Sequence, residues 1–115
     1  MDRLQSINCI ELQGNVGSVR FETIADKIVA RFSLATNYAY RSADGTAYIE
    51  TTWHNCVCFS GNIPEEEVRK LEKGKSVHLQ GRLRAYKHIN ADGVECMNYE
   101  VFVGDLEVWD GSWAL

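Results

Sequence analysis

Asn62-Ile63-Pro64-Glu65-Glu66-Glu67-Val68-Arg69-Lys70-Leu71-Glu72-Lys73-Gly74 is the stretch of this 115-residue chain whose reading decides the fold. It predicts one short helix. A proline near the start needs no amide partner, three glutamates oppose the positive end of the helix dipole, and Lys70 and Lys73 suit the negative end. Gly74 stops it. Val68 and Leu71 give a narrow apolar stripe, enough to plug one end of a sheet or barrel but not to build a helical bundle.

Everything on either side of this stretch reads as strand. Partial alternation from Ile7 to Leu12 marks a first strand, which Gly14-Asn15-Val16-Gly17 breaks with a bend or bulge. Ile28, Ala30, Phe32 and Leu34 then alternate with Val29, Arg31, Ser33 and Ala35, a half-buried second strand. The segment from Tyr38 to Phe59 turns at Asp44-Gly45 and predicts a long β-hairpin. Beyond the helix, Val77, Leu79, Gly81 and Leu83 face one way while His78, Gln80, Arg82 and Arg84 face the other. A second Asp-Gly turn at Asp92-Gly93 leads into a last strand running roughly from Cys96 to Val108. Three strands, one helix and a final hairpin is the element order of the oligonucleotide-binding (OB) fold, so the expectation is an all-β, five-stranded Greek-key barrel. At this length it forms one domain over residues 1–115.

Composition narrows the function classes. A hydrophobic fraction of 45%, a charged fraction of 24% and a single proline predict a chain folded throughout. No apolar run is long enough to span a membrane and no basic-then-apolar leader opens the chain, so a cytoplasmic location without membrane contact is expected. Cys9, Cys56, Cys58 and Cys96 are read as reduced, structural cysteines. Cys56 and Cys58 are expected on opposite strand faces, with no second Cys or His pair to complete a metal site. The net charge of −4 opposes the simplest picture of a nucleic-acid binder. Its distribution does not: Lys73, Lys75, Arg82, Arg84 and Lys87 fall in a stretch, Lys73 to Ala91, that contains no acidic residue.

Within the long hairpin, Thr51-Thr52-Trp53-His54-Asn55-Cys56-Val57-Cys58-Phe59 carries aromatics that share a face on an unbroken strand, Trp53 and Phe59. Such a face fills a core or stacks flat ligands such as nucleic-acid bases. Nothing favours an enzyme. There is no nucleophile elbow, no phosphate-binding glycine loop, and His54, His78 and His88 are too widely spaced for a site. Consecutive glutamates diverge around a helix, so Glu65, Glu66 and Glu67 are a solvated N-terminus rather than a catalytic pair. No metal or cofactor is expected.

In five ordered motifs the chain resembles the bacterial single-stranded DNA-binding proteins: Ile10 through Gly17, Phe32 through Asn37, Thr52-Trp53-His54, Lys73 through Val77, and Gly81-Arg82-Leu83-Arg84. The resemblance covers nearly the whole chain. It implies base stacking on Tyr40, Trp53 and Phe59, with His88 standing where many members carry tryptophan and Tyr86 placed to compensate. Stacking of this kind serves any base and therefore any sequence. Phosphate contacts are implied for Lys73, Arg84 and Lys87. Asn55 and Asn62 stand where basic residues are common, which predicts a shallower salt dependence of binding, by about 0.7 in logarithmic slope for each lost phosphate contact.

The resemblance further implies that His54 lies in a subunit interface of a homotetramer, with a homodimer as second choice. The expected ligand is single-stranded DNA, in replication, recombination or repair, and stacking alone leaves RNA open. Typical members continue into a long polar segment with an acidic tip. Here only Asp110-Gly111-Ser112-Trp113-Ala114-Leu115 follows Trp109, so a tail-less member is expected, without the usual route for recruiting replication or repair proteins. The segment between Gly17 and Lys27 is shorter than usual and lacks its proline, so its loop is expected to take a different path. An alternative is the primosomal replication type, which shares the fold and acts mainly through protein contacts.

Overall fold

A computed structural model describes residues 6–109. Five strands, β1 (Ile10–Ile24), β2 (Lys27–Arg41), β3 (Ala47–Phe59), β4 (Ser76–Ile89) and β5 (Glu95–Trp109), surround a single helix, α1 (Glu65–Arg69). They close into a barrel in the order β1-β2-β3-β5-β4. All neighbours are antiparallel except β3 and β5, which meet in parallel at Cys56↔Val101 and Val57↔Phe102. The expected OB architecture is therefore present.

The barrel is filled by the alternating residues of its strands, among them Phe32, Leu34, Leu79, Val101 and Val103. Burying such side chains contributes about 1.5–3 kcal/mol each. Ile63, Val68 and Leu71 close one end as a plug, as the helical stripe predicted. The helix itself is shorter than expected. It ends at Arg69 because Leu71 must turn into the core and Gly74, at φ +90°, must return its amide to the Val16 carbonyl at 2.8 Å. Lys73 thus lies in a turn beyond the helix and does not cap it.

Two further expectations change, one on β1 and one on the cysteines. The glycines at 14 and 17 do not end β1; it runs on to Ile24, and the register with β2 shifts between Val16 and Ser18. A bulge lets one strand bend far enough to pair with both β2 and β4. Between Gly17 and Lys27 the only turn is Ala25-Asp26, both with positive φ, which matches the tight hairpin geometry that follows the strand twist. Cys56 and Cys58 project from the same face, not from opposite ones, because side chains two apart on a strand coincide. Both thiols lie in the core, and burial pushes each up to about 12, so they stay protonated.

The β2–β3 and β4–β5 ribbons outrun the barrel, and their distal residues are exposed. Because β3 and β5 are parallel where they meet, their N-terminal halves lead away from that junction in the same sense.

Candidate nucleic-acid interface

Strand parity sorts the candidate residues. Leu34 and His54 are cross-strand partners, as are Ala35 and Trp53, and the register runs without a shift to Arg41↔Ala47. Trp53, Asn55, Val57 and Phe59 therefore share the outer face. Tyr40, on the parity of Leu34, comes out on the other side of the ribbon, stacked against Tyr48 at 5.5 Å and Tyr38 at 5.9 Å.

Trp53 is 60% exposed. Its ring lies over Gly17 at the β1 bulge, where a Cβ would sit 2.4 Å from the indole Cζ3. Ser33, beneath the same ring, accepts the Ser18 amide hydrogen bond at 3.0 Å and braces the bulge. The turn bearing Lys73 is fastened to this bulge through Gly74 and Val16.

Phe59 is half-buried and stacks on Phe102 at 5.5 Å. The guanidinium groups of Arg82 and Arg84 each lie 4.8 Å from the Phe102 ring centre. Val29 and Val57, fully buried outside the barrel core, pair with Phe59 and Phe102 respectively. This outer layer makes Phe59 and Phe102 part of a packed sheet surface, with cation–π contacts holding the arginine heads over it.

On β4 and β5 the outward set is Arg82, Arg84, Tyr86 and His88 facing Phe102, Glu100, Asn98 and Cys96. Tyr86 and His88 rings are 6.5 Å apart, and Asn98 Nδ2 lies 2.7 Å from His88 Nδ1. Lys87 has the opposite parity and lies 3.9 Å from Glu95. So Trp53, Phe59, Tyr86, His88 and Arg84 come to one face, Lys73 adjoins it, and Tyr40 and Lys87 do not.

Between the two ribbons runs a groove of about 380 Å³ whose walls include Ser18, Arg20, Arg31, Asn55, Tyr86 and Glu100. Arg84 and Glu22 line its extension. Arg20, Arg31, Glu100 and Phe102 were not among the sequence candidates. Phe102 was legible in the alternation of Val101 and Val103 around it, and Arg31 in that of Ala30 and Phe32. Arg20 was hidden by the bulge, which carries β1 past the glycines that the sequence reading placed as its break.

His54 lies on the side of Leu34, with Nε2 2.9 Å from Thr36 Oγ1, and burial holds its pKa below the usual value. Among the described residues no group of His, Cys, Asp or Glu is placed to hold a metal ion. Among the same residues no helix is long and apolar enough to cross a membrane.

A closed five-stranded barrel with one plugging helix and an outward face of aromatics and arginines defines a protein of the OB class. Residues 7–109 match the single-strand binding protein family, and the chain belongs to that family. It is 32% identical over 110 residues to a single-stranded DNA-binding protein of Xanthomonas axonopodis pv. citri, covering 93% of this chain and 60% of that protein. It is 34% identical over 109 residues to one from Bacteroides thetaiotaomicron, covering 90% and 66%. The chain thus spans less than two thirds of the length of these relatives. Among solved structures, the Plasmodium falciparum SSB in complex with single-stranded DNA superposes with a TM-score of 0.78 at 27% identity, over 93% of this chain and 97% of that one. A Thermus aquaticus single-stranded DNA-binding protein, at TM-score 0.74 and 19% identity over 91% of this chain and 51% of that one, shares the fold.

Proposed function

We propose that this chain binds and protects single-stranded DNA without sequence preference and without catalysis, serving replication, recombination or repair. The observation that carries the reading is Trp53, held open on Gly17 beside a groove rimmed by Arg20, Arg31 and Tyr86. Bases stack on Trp53 and Tyr86, each for about 1–3 kcal/mol, and the arginines meet the phosphates. The Plasmodium falciparum relative in its complex with single-stranded DNA supports the same ligand here. Phe59 acts with Phe102 as the floor of this surface, and Lys73 extends its positive edge beside the bulge. A homo-oligomer that includes His54 in its contacts would place several such faces on one strand and gain avidity. The reduced thiols fit a reducing compartment such as the cytoplasm.

The test is quenching of tryptophan fluorescence on titration with poly-dT, in wild type and Trp53→Phe, at low and moderate salt. Strong quenching that is largely lost in the variant is the expected result. Absence of quenching at low salt would instead favour the primosomal type of action through protein contacts, which the carboxylates of Glu22 and Glu100 among the groove arginines make the alternative to test.

A further inference from the structure

Arg31 and Arg84 come from different hairpins and meet at one carboxylate. Glu100 Oε1 accepts from Arg84 Nε at 3.1 Å, and Glu100 Oε2 lies 3.7 Å from Arg31 Nη1. The Glu100 side chain is only 9% exposed, whereas those of Arg31 and Arg84 are 37% and 38% exposed. The carboxylate is thus beneath and the guanidinium heads are above, facing the groove. Each head has a second restraint: Arg31 Nε donates to Glu22 Oε1 at 3.2 Å, and Arg84 lies over the Phe102 ring. A guanidinium has five N–H donors, so Arg84 keeps donors for a ligand after bonding Glu100 through Nε and Nη2.

We infer that Arg31 and Arg84, held by the buried Glu100, form a two-arginine site for one phosphodiester of the bound strand, with Glu100 as its positioning residue. The inference rests on the single-strand binding reading and adds where a phosphate is held. Arg31 also lines the groove beside Asn55, on the neighbouring strand. An arginine loses much rotamer freedom when it grips a phosphate. Glu100 and Phe102 impose that loss on folding, so it does not weaken binding.

Poly-dT affinity and its salt dependence in wild type, Glu100→Gln, Arg84→Ala and the double variant test this, with thermal melting run beside each. Glu100→Gln keeps the shape and one acceptor. It is expected to weaken binding roughly three- to ten-fold, the worth of one side chain that must be ordered again. Arg84→Ala should reduce the logarithmic salt slope by about 0.7. In the Arg84→Ala background the Glu100→Gln effect should shrink, because part of it acts through Arg84. Unchanged or tighter binding by Glu100→Gln, or an undiminished effect in the double variant, would overturn the site. Should Glu100→Gln melt early, Arg31→Ala decides: a salt slope equal to wild type overturns the site. A wild type that does not bind poly-dT defeats the underlying reading instead, which is a separate outcome.

Discussion

The indole of Trp53 rests directly on Gly17, with no room for a methyl group between ring and backbone. Gly17→Ala is therefore expected to push the ring off its seat while the barrel stays folded, because the clash is with side chains. Poly-dT binding should weaken by about 1–3 kcal/mol, the worth of one stacked base. Gly14→Ala and Gly81→Ala provide the contrast, since a Cβ there would lie 2.0 Å from the Ala35 carbonyl oxygen and 2.2 Å from that of Phe102. Those two variants should lose about 3 kcal/mol or more of stability by urea denaturation.

Tyr86 and Lys87 are chain neighbours on opposite faces of the β4–β5 ribbon. Tyr86→Ala is expected to lower single-strand affinity by about 1–3 kcal/mol. Lys87→Ala should stay within about two-fold of wild type at moderate salt, its charge being exposed, screened and near Glu95. Fluorescence titration of the two variants side by side would expose an error in the parity argument if their effects were reversed.

The turn at Ala25-Asp26 places two residues with side chains at φ 50° and φ 65°. A left-handed conformation costs a non-glycine residue roughly 1–2 kcal/mol, and glycine's added freedom in the unfolded chain returns about 0.4–1 kcal/mol of that. Asp26→Gly should then raise stability by up to about 1 kcal/mol, seen as a higher melting temperature, with poly-dT binding unchanged.

His54 gives stability a pH dependence of known sign. Burial lowers its folded pKa from the model-peptide value of 6.5, so the folded state disfavours the proton. Above 6.5 both states are neutral and the contribution is whole. As the pH falls below that value the unfolded chain takes up the proton first, and stability declines until the folded pKa is passed. Urea midpoints between pH 7.5 and 5.5 should fall for wild type and fall less for His54→Gln. Parallel curves would show that His54 does not carry the effect.

Much of the fold was legible because it follows from local chemistry. Asp44-Gly45 and Asp92-Gly93 marked both long hairpins, and Gly45 and Gly93 have the positive φ such turns use. Alternation in β2 separated Phe32 and Leu34 from Arg31 and Ser33 correctly. The bulge at Gly17 was not legible as a continuation, since a glycine that ends a strand and one that bends it look alike until the partner strands are known. Tyr40 and Lys87 were implied by the resemblance, and strand parity places each on the face of its ribbon opposite Trp53 and His88.

The sequence by itself determined the element order, the two Asp-Gly turns and most of the inner face, because backbone propensity and period-two alternation act over a few residues. The tertiary structure decided what meets across strands. Trp53 on Gly17, Phe59 on Phe102, and Glu100 between Arg31 and Arg84 each join residues from different strands. Such contacts depend on strand register and on the curvature of a closed barrel, and a one-residue shift such as the bulge in β1 turns every later side chain to the opposite face.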